Sequence, residues 1–208
     1  MSVLLPIGRV LLAALALTAI GQQLGLHIRA SYNVLNFFSY FTNLSNLFAA
    51  LVLLLVAFSR SSRNSLLDAV RYVAAVNMAV VGIVFAILLR NVDLGDLLPW
   101  VNVVLHYVMP VAVVLDWLLQ PPASKQRIKH VAVALAFPAA YLLYALLRGA
   151  AVGWYPYPFL NPANVGGYGG VAPYAVGIFV TLLVVAGALL AWGNRLSVAA
   201  SRDAPGGV

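Results

Sequence analysis

The sequence predicts an all-α integral membrane protein: a bundle of six transmembrane helices with both termini in the cytoplasm. Three observations predict it. The 208 residues are 63% hydrophobic and only 8% charged, with a mean hydropathy of +0.97, whereas a soluble domain carries roughly 25% charged residues. A chain of this size has no interior able to hide so much apolar surface, so its solvent is the bilayer. Six segments approach the roughly 20 apolar residues that a helix needs to cross the hydrocarbon core. The basic residues gather in alternate connections, the pattern that fixes orientation in a membrane.

In chain order the spans cover 4–24, 37–58, 69–89, 98–119, 131–147 and 171–192. Residues 1–194 thus form one six-helix domain, and the small, polar stretch 195–208 reads as a disordered cytoplasmic tail. The first span is too long and too evenly apolar for a signal peptide, and no convincing cleavage site follows it. Arg9, then Arg60, Arg63 and Arg71, then Lys125, Arg127 and Lys129, and finally Arg195 and Arg202 mark one side of the membrane. Together they are nine of the twelve basic residues, and Arg29, Arg90 and Arg148 mark the other. The richer side is the cytoplasmic one. The net charge of +7 is therefore topological, and no nucleic-acid partner is expected. The chain has no cysteine, which excludes disulfides, thiolate metal sites and a Cys nucleophile.

The loops are short except the fifth, from Arg148 to Gly170. Its Trp154, Tyr155, Tyr157 and Phe159 alternate with prolines, which suits a rigid element at the outer interface, either an aromatic belt or a cap over a site. The run Gly166–Gly170 follows no strand and precedes no Lys-Ser/Thr pair, so it is not a phosphate loop.

Two spans carry polar residues at membrane depth. Near the start of the second, Ser39, Thr42, Asn43 and Asn46 lie three and four apart and share a face, with Ser45 at its edge. The fourth carries Trp100, Asn102, His106, Pro110 and Asp116; Asn102 and His106 share a face, and Pro110 removes a backbone donor. Asp116 stands near the cytoplasmic end, within reach of Lys125 or Arg127. The third span adds Asn77, and Arg90 at its outer end as a snorkelling anchor or a binder of an anionic head group. A titratable group inside a span is a functional candidate by default. Counted from their entry points at 1.5 Å per residue, Thr42 lies roughly 8 Å deep and His106 roughly 10 Å deep. A hydroxyl and an imidazole at one level are what nucleophilic catalysis requires; a histidine hydrogen-bonded to another helix as structural glue is the competing reading. His27 and His130 lie in loops, no His/Asp/Glu set has zinc-ligand spacing, and no cofactor or metal is expected.

Three local patterns resemble one family. They are Tyr40-Phe41-Thr42 early in a span, Trp100-x-Asn102-x-x-x-His106 with a proline following, and Trp154 with Tyr157-Pro158-Phe159-Leu160 before the last helix. Each looks like a segment of the androgen-induced family of multi-pass membrane proteins. That family includes hydrolases of fatty acid esters of hydroxy fatty acids and the androgen-dependent regulator of tissue factor pathway inhibitor. The resemblance implies an intramembrane threonine hydrolase with Thr42 as nucleophile and His106 as general base. The implied substrate is a lipid ester drawn from the membrane, and the implied location is a cell membrane, the inner one in a bacterium. Val103 stands where related chains have a second histidine, and Asn43 and Asn46 look like features of a bacterial branch. On this reading Asn102 orients the imidazole, and Asn43 or Asn46 donates to the oxyanion. Ser39, Asn77, Arg90 and Tyr157 are further supporting or substrate-binding candidates. The alternative is a non-enzymatic lipid or small-molecule binder, or a transporter, in which the polar stripe and His106 line a cavity. The sequence sets no oligomeric state.

Overall fold

The computed structural model describes residues 4–59, 65–123 and 125–202, for 198–202 the backbone alone. Arg60, Arg63 and the side chain of Arg202, which enter the charge argument above, lie outside it. Among the described residues there are helices and no strands, and six helical stretches are long and apolar enough to cross a membrane.

The elements are α1 (Leu4–Arg29), α2 (Val34–Phe38), α3 (Phe41–Phe58), α4 (Ser65–Val84, running on as a π-helical turn to Leu89), α5 (Pro99–Val103), a second π turn (Val104–Val108), α6 (Met109–Leu119), α7 (Lys129–Val152) and α8 (Tyr168–Arg202). The helix α4 is the most buried of the spans and packs on α3, α6, α7 and α8, while α1 lies against α3. The helices α7 and α8 turn most of their apolar side chains outward, among them Leu143, Leu147, Val176 and Val184, as lipid-facing helices do. The last helix continues to Arg202. The stretch expected as a disordered tail is helical over 195–202; 203–208 lie outside the described residues.

Two irregularities shape the interior. The second span is not continuous: α2 ends at Phe38, Tyr40 is extended (φ −80°, ψ 125°), and α3 starts at Phe41. The break is held by side chains. Tyr141 Oη donates to the Ser39 carbonyl (2.8 Å), and Ser39 Oγ donates to the Leu35 carbonyl and meets Tyr144 Oη, each at 2.7 Å. The fourth span loosens at Val104–Val108, where Met109 N–H bonds Val104 O in the i→i+5 pattern. Pro110 accounts for this, because it has no N–H for the His106 carbonyl four residues back and its ring crowds that carbonyl. Opposite it stands Gly82, where an added Cβ would come 3.0 Å from Pro110 Cβ, so the two helices approach closely beside His106.

At the end that holds both termini, a buried charge cluster ties three spans together. Arg9 Nε donates to Asp116 Oδ1 at 2.6 Å and its Nη2 donates to Gln120. Arg71 reaches Asp116 Oδ2 (3.2 Å) and Asp68 Oδ1 (3.3 Å) and lies over the Trp117 ring. Asp116 thus pairs with Arg9 and Arg71, not with Lys125 or Arg127. Arg9 and Arg71, counted as interface charges in the sequence, are interior ones, because each finds a carboxylate on a neighbouring helix.

Candidate active site

At the opposite end, the break before α3 places Thr42 in the first turn of a helix, where backbone N–H groups have no intrahelical acceptor. Its N–H donates instead to Tyr157 Oη at 3.3 Å. The π turn places His106 across from it, and Thr42 Oγ1 lies 3.3 Å from His106 Nε2. Both side chains are buried, 7% and 8% exposed. His106 Nδ1 lies 3.3 Å from the Asn102 carbonyl. A carbonyl only accepts, so this contact assigns the proton to Nδ1 and leaves Nε2 as the acceptor for the Thr42 hydroxyl. The Phe85 ring, from the π turn of α4, stacks on the imidazole with centroids 4.0 Å apart and planes 24° apart, fixing the plane of the imidazole.

The other predicted residues divide. Asn46, fully buried, donates from Nδ2 to Thr42 O (2.9 Å) and Leu105 O (3.2 Å), so it clamps the Thr42 turn to the His106 turn. Asn43 Nδ2 donates to Phe37 O at 2.8 Å and so braces the helix break. With those donors on backbone carbonyls, the side-chain hydroxyl beside Thr42 Oγ1 is that of Tyr157, 3.5 Å away. Asn102 serves His106 through its main chain; its Oδ1 is buried without a partner. Ser39 holds the helix break. Asn77 is buried on α4 with neither side-chain polar atom bonded, and Arg90 is exposed; neither lines a cavity described below. Among the described residues, no group of three His, Cys, Asp or Glu could hold a metal ion. Sequence reasoning missed Phe85, an ordinary apolar residue of a span, and the paired roles of Tyr141 and Tyr144. Their only sequence signal is hydroxyls at 3-residue spacing.

Tyr157 reaches Thr42 because the fifth loop folds back over the bundle. Gly153 ends α7 in the left-handed region (φ +71°), which glycine adopts without strain. Tyr155 then lies flat on Gly149, where any Cβ would overlap its ring. Burial pushes the Tyr157 phenol above its ordinary range, opposed by its bonds with Thr42, so it remains a proton donor at neutral pH. Gly149→Val is expected to lift this loop and to destabilise the protein by about 1–3 kcal/mol, as overpacking does; the check is the unfolding midpoint in detergent.

Two cavities meet at Thr42 and Tyr157, which line both. One, of about 370 Å³, is apolar and lies between α4, α7 and α8, with Val80, Val84, Pro138, Ile178 and Leu182 in its wall. It opens sideways past Val176 and Phe179, which are exposed on the bundle surface. The other, of about 960 Å³, is the more polar of the two, contains His106 and Asn43, and reaches the exposed residues Arg29, Tyr32, Asp93 and Asp96.

A family model described as FAR-17a/AIG1-like protein matches residues 26–194. The chain belongs to the FAR-17a/AIG1-like family. It is the family that the three sequence patterns resemble, and the matched stretch carries Thr42, His106 and Tyr157. No curated protein and no solved structure matches the chain. The FAR-17a/AIG1-like membership fixes the family of this six-span bundle, and the chemistry rests on the geometry above.

Proposed function

We propose that this FAR-17a/AIG1-like protein is an intramembrane hydrolase of lipid esters, of the kind exemplified by fatty acid esters of hydroxy fatty acids. Thr42 is the nucleophile and His106 the general base and acid. The observation that carries the reading is the Thr42 Oγ1–His106 Nε2 contact at the meeting point of an apolar and a polar cavity. In this reading both termini are cytoplasmic, the site lies in the outer half of the bilayer, and the membrane is that of the cell. The substrate enters sideways from the bilayer, and water enters from the outer face.

The steps follow from the atoms present. Thr42 Oγ1 attacks the ester carbonyl carbon as His106 Nε2 takes its proton. The oxyanion forms beside the Thr42 N–H and the Tyr157 hydroxyl, donors of the type that stabilise such charge by about 3 kcal/mol each. His106 returns the proton to the departing alkoxide, leaving a threonyl ester. Water from the polar cavity then gives a proton to Nε2 and attacks; the fatty acid leaves, and Thr42 regains its proton. The pair works without a carboxylate third member. Asp116, ten residues along the span and about 15 Å away by helical rise, is bound to Arg9 and Arg71, and the Asn102 carbonyl orients the imidazole instead. The rival transporter reading needs a path to the far face. Both cavities are lined by residues of one half of the bundle, and the other end is tied by the Arg–Asp cluster.

A phosphonylating probe of serine and threonine hydrolases should label Thr42, located by mass spectrometry, and labelling should vanish in His106→Ala. Failure of every such probe on folded, ester-cleaving protein would remove the acyl-enzyme step. Tyr157→Phe keeps the ring and removes the hydroxyl. It should lower kcat about 10²-fold, as loss of one oxyanion donor does, with KM nearly unchanged; an equal loss in KM would make Tyr157 a binding residue.

A further inference from the structure

We propose that Arg148 anchors a free carboxylate on the alcohol part of the substrate, at the wall of the larger cavity, with Asn36 as the second donor. This rests on the hydrolase reading above and deepens it, by naming the residue that selects an ester of a hydroxy acid.

Arg148 differs from the guanidiniums at the other end of the bundle. Arg9 and Arg71 each hold a carboxylate, and among the described residues no carboxylate pairs with Arg148. Its Nη2 donates to Asn36 Oδ1 at 2.6 Å, and its Cζ lies 5.2 Å from the centre of the Trp154 ring. Its Nη1 is buried without an acceptor. An arginine that only anchors a span at the interface keeps its charged head in water; this one is turned into the protein with a donor to spare. A buried charged donor is costly to leave unpaired and calls for an acceptor.

The place of that donor assigns the ligand. Asn36 and Trp154 both line the larger cavity, so the guanidinium stands directly behind its wall. With Oδ1 turned to Arg148, the Asn36 amide keeps Nδ2 as its donor. A group entering between Asn36 and Trp154 meets both donors and one full positive charge. The carboxylates that line the cavity are exposed and already engaged: Asp93 Oδ1 accepts from Gly95 N–H (2.9 Å) and Asp96 Oδ2 from Tyr32 Oη (2.7 Å). Water and salt screen such exposed charges far more than a buried one. A carboxylate matches the inner wall, with one negative charge for one guanidinium and two oxygens for two donors. A phosphate monoester, with a charge of about −1.5 to −2, would be only partly balanced.

The anchor is set apart from the reacting atoms. Tyr157 beside Thr42, then Tyr40, then Trp154 stand edge to face in file, with ring centres 5.8 and 5.7 Å apart, and all three line the cavity. The file leads from the nucleophile to Arg148. With the acyl chain in the apolar cavity and its carbonyl at Thr42, the alcohol part runs along these rings and its carboxylate ends on Arg148. The contact is the same before and during the reaction, so it lowers KM and leaves kcat unchanged.

The test uses purified protein and three oleoyl esters: that of a long-chain hydroxy acid with its carboxylate free, that of the same hydroxy acid as its methyl ester, and that of glycerol 3-phosphate. kcat/KM should be at least about tenfold higher for the free carboxylate than for the methyl ester, the low end of what a hydrogen bond to a charged group contributes, with the difference in KM. In Arg148→Gln the ratio of these two should fall toward one, and in Arg148→Lys, which keeps the charge, part of it should return. General damage to the fold would lower both rates together and leave the ratio in place. Equal or faster cleavage of the methyl ester by the unaltered protein, or an unchanged ratio in Arg148→Gln, overturns the proposal while leaving the hydrolase intact. Faster cleavage of the phosphate ester than of the free carboxylate overturns the choice of a carboxylate. Absence of Thr42-dependent cleavage of all three and of a p-nitrophenyl ester overturns the parent reading and this one with it.

Discussion

Thr42→Ala and His106→Ala should each lower long-chain ester hydrolysis by about 10³-fold or more, and the double variant should be no worse than either alone. Residues that act as one unit are grossly non-additive, because removing either leaves the other without a task. The geometry makes the two a unit: His106 Nε2 is the acceptor 3.3 Å from Thr42 Oγ1, and its Nδ1 faces the Asn102 carbonyl. Thr42→Ser keeps the attacking oxygen and should retain most of the activity. His106→Gln keeps an acceptor that cannot hold the proton through the step and should behave like His106→Ala. The measurement is single-turnover hydrolysis by purified protein with normal unfolding midpoints. Full activity in both alanine variants would end the hydrolase reading. An additive loss in the double variant would mean that the two residues act separately, as a lining residue and a structural histidine would.

How much of this was legible in the chain differs by element. The six spans follow from apolar length alone, since the bilayer enforces length regardless of which helix neighbours which. The shared depth of Thr42 and His106 follows from counting residues along two spans. The contact itself does not, because it needs the helix break at Ser39–Tyr40, whose carbonyl is satisfied by Tyr141, 102 residues away. Pro110 announces a loosened helix, but nothing in sequence says that the result is a π turn that aims His106 at its neighbour. Tyr157 stood out as part of an aromatic loop; that it reaches Thr42 depends on Gly149 leaving room for Tyr155. Arg9 and Arg71 were misplaced for the same reason. A positive charge near a span end has the same sequence signature whether it faces water or a carboxylate on another helix.

That cluster carries the largest expected effect on stability. Asp116→Ala should destabilise the protein by about 3–5 kcal/mol, the cost of leaving buried charge uncompensated. Arg9 and Arg71, 4% and 5% exposed, share Asp116 between them, through Oδ1 and Oδ2. Without it, two guanidiniums face the single carboxylate of Asp68, itself engaged by Arg71 Nη1 and by Ala123 N–H at 2.7 Å. Arg71 also donates to the carbonyls of Asp116 and Gln120, each at 2.9 Å, so its displacement would free two backbone acceptors as well. The readout is the unfolding midpoint in detergent, and a wild-type midpoint would refute the role. Asp116→Asn should be nearly as harmful, since it keeps shape and loses charge, whereas Arg9→Met with Asp116→Leu should be tolerated better than Asp116→Leu alone, because it leaves one buried guanidinium, Arg71, against one carboxylate, Asp68. At a temperature where Asp116→Ala is still folded, its kcat should be close to normal, because the cluster touches neither cavity. The two ends of the bundle should therefore fail in different ways: changes at Thr42 and His106 are expected to remove chemistry from a stable protein, and changes at Asp116 to remove the protein while leaving the chemistry of its folded fraction intact.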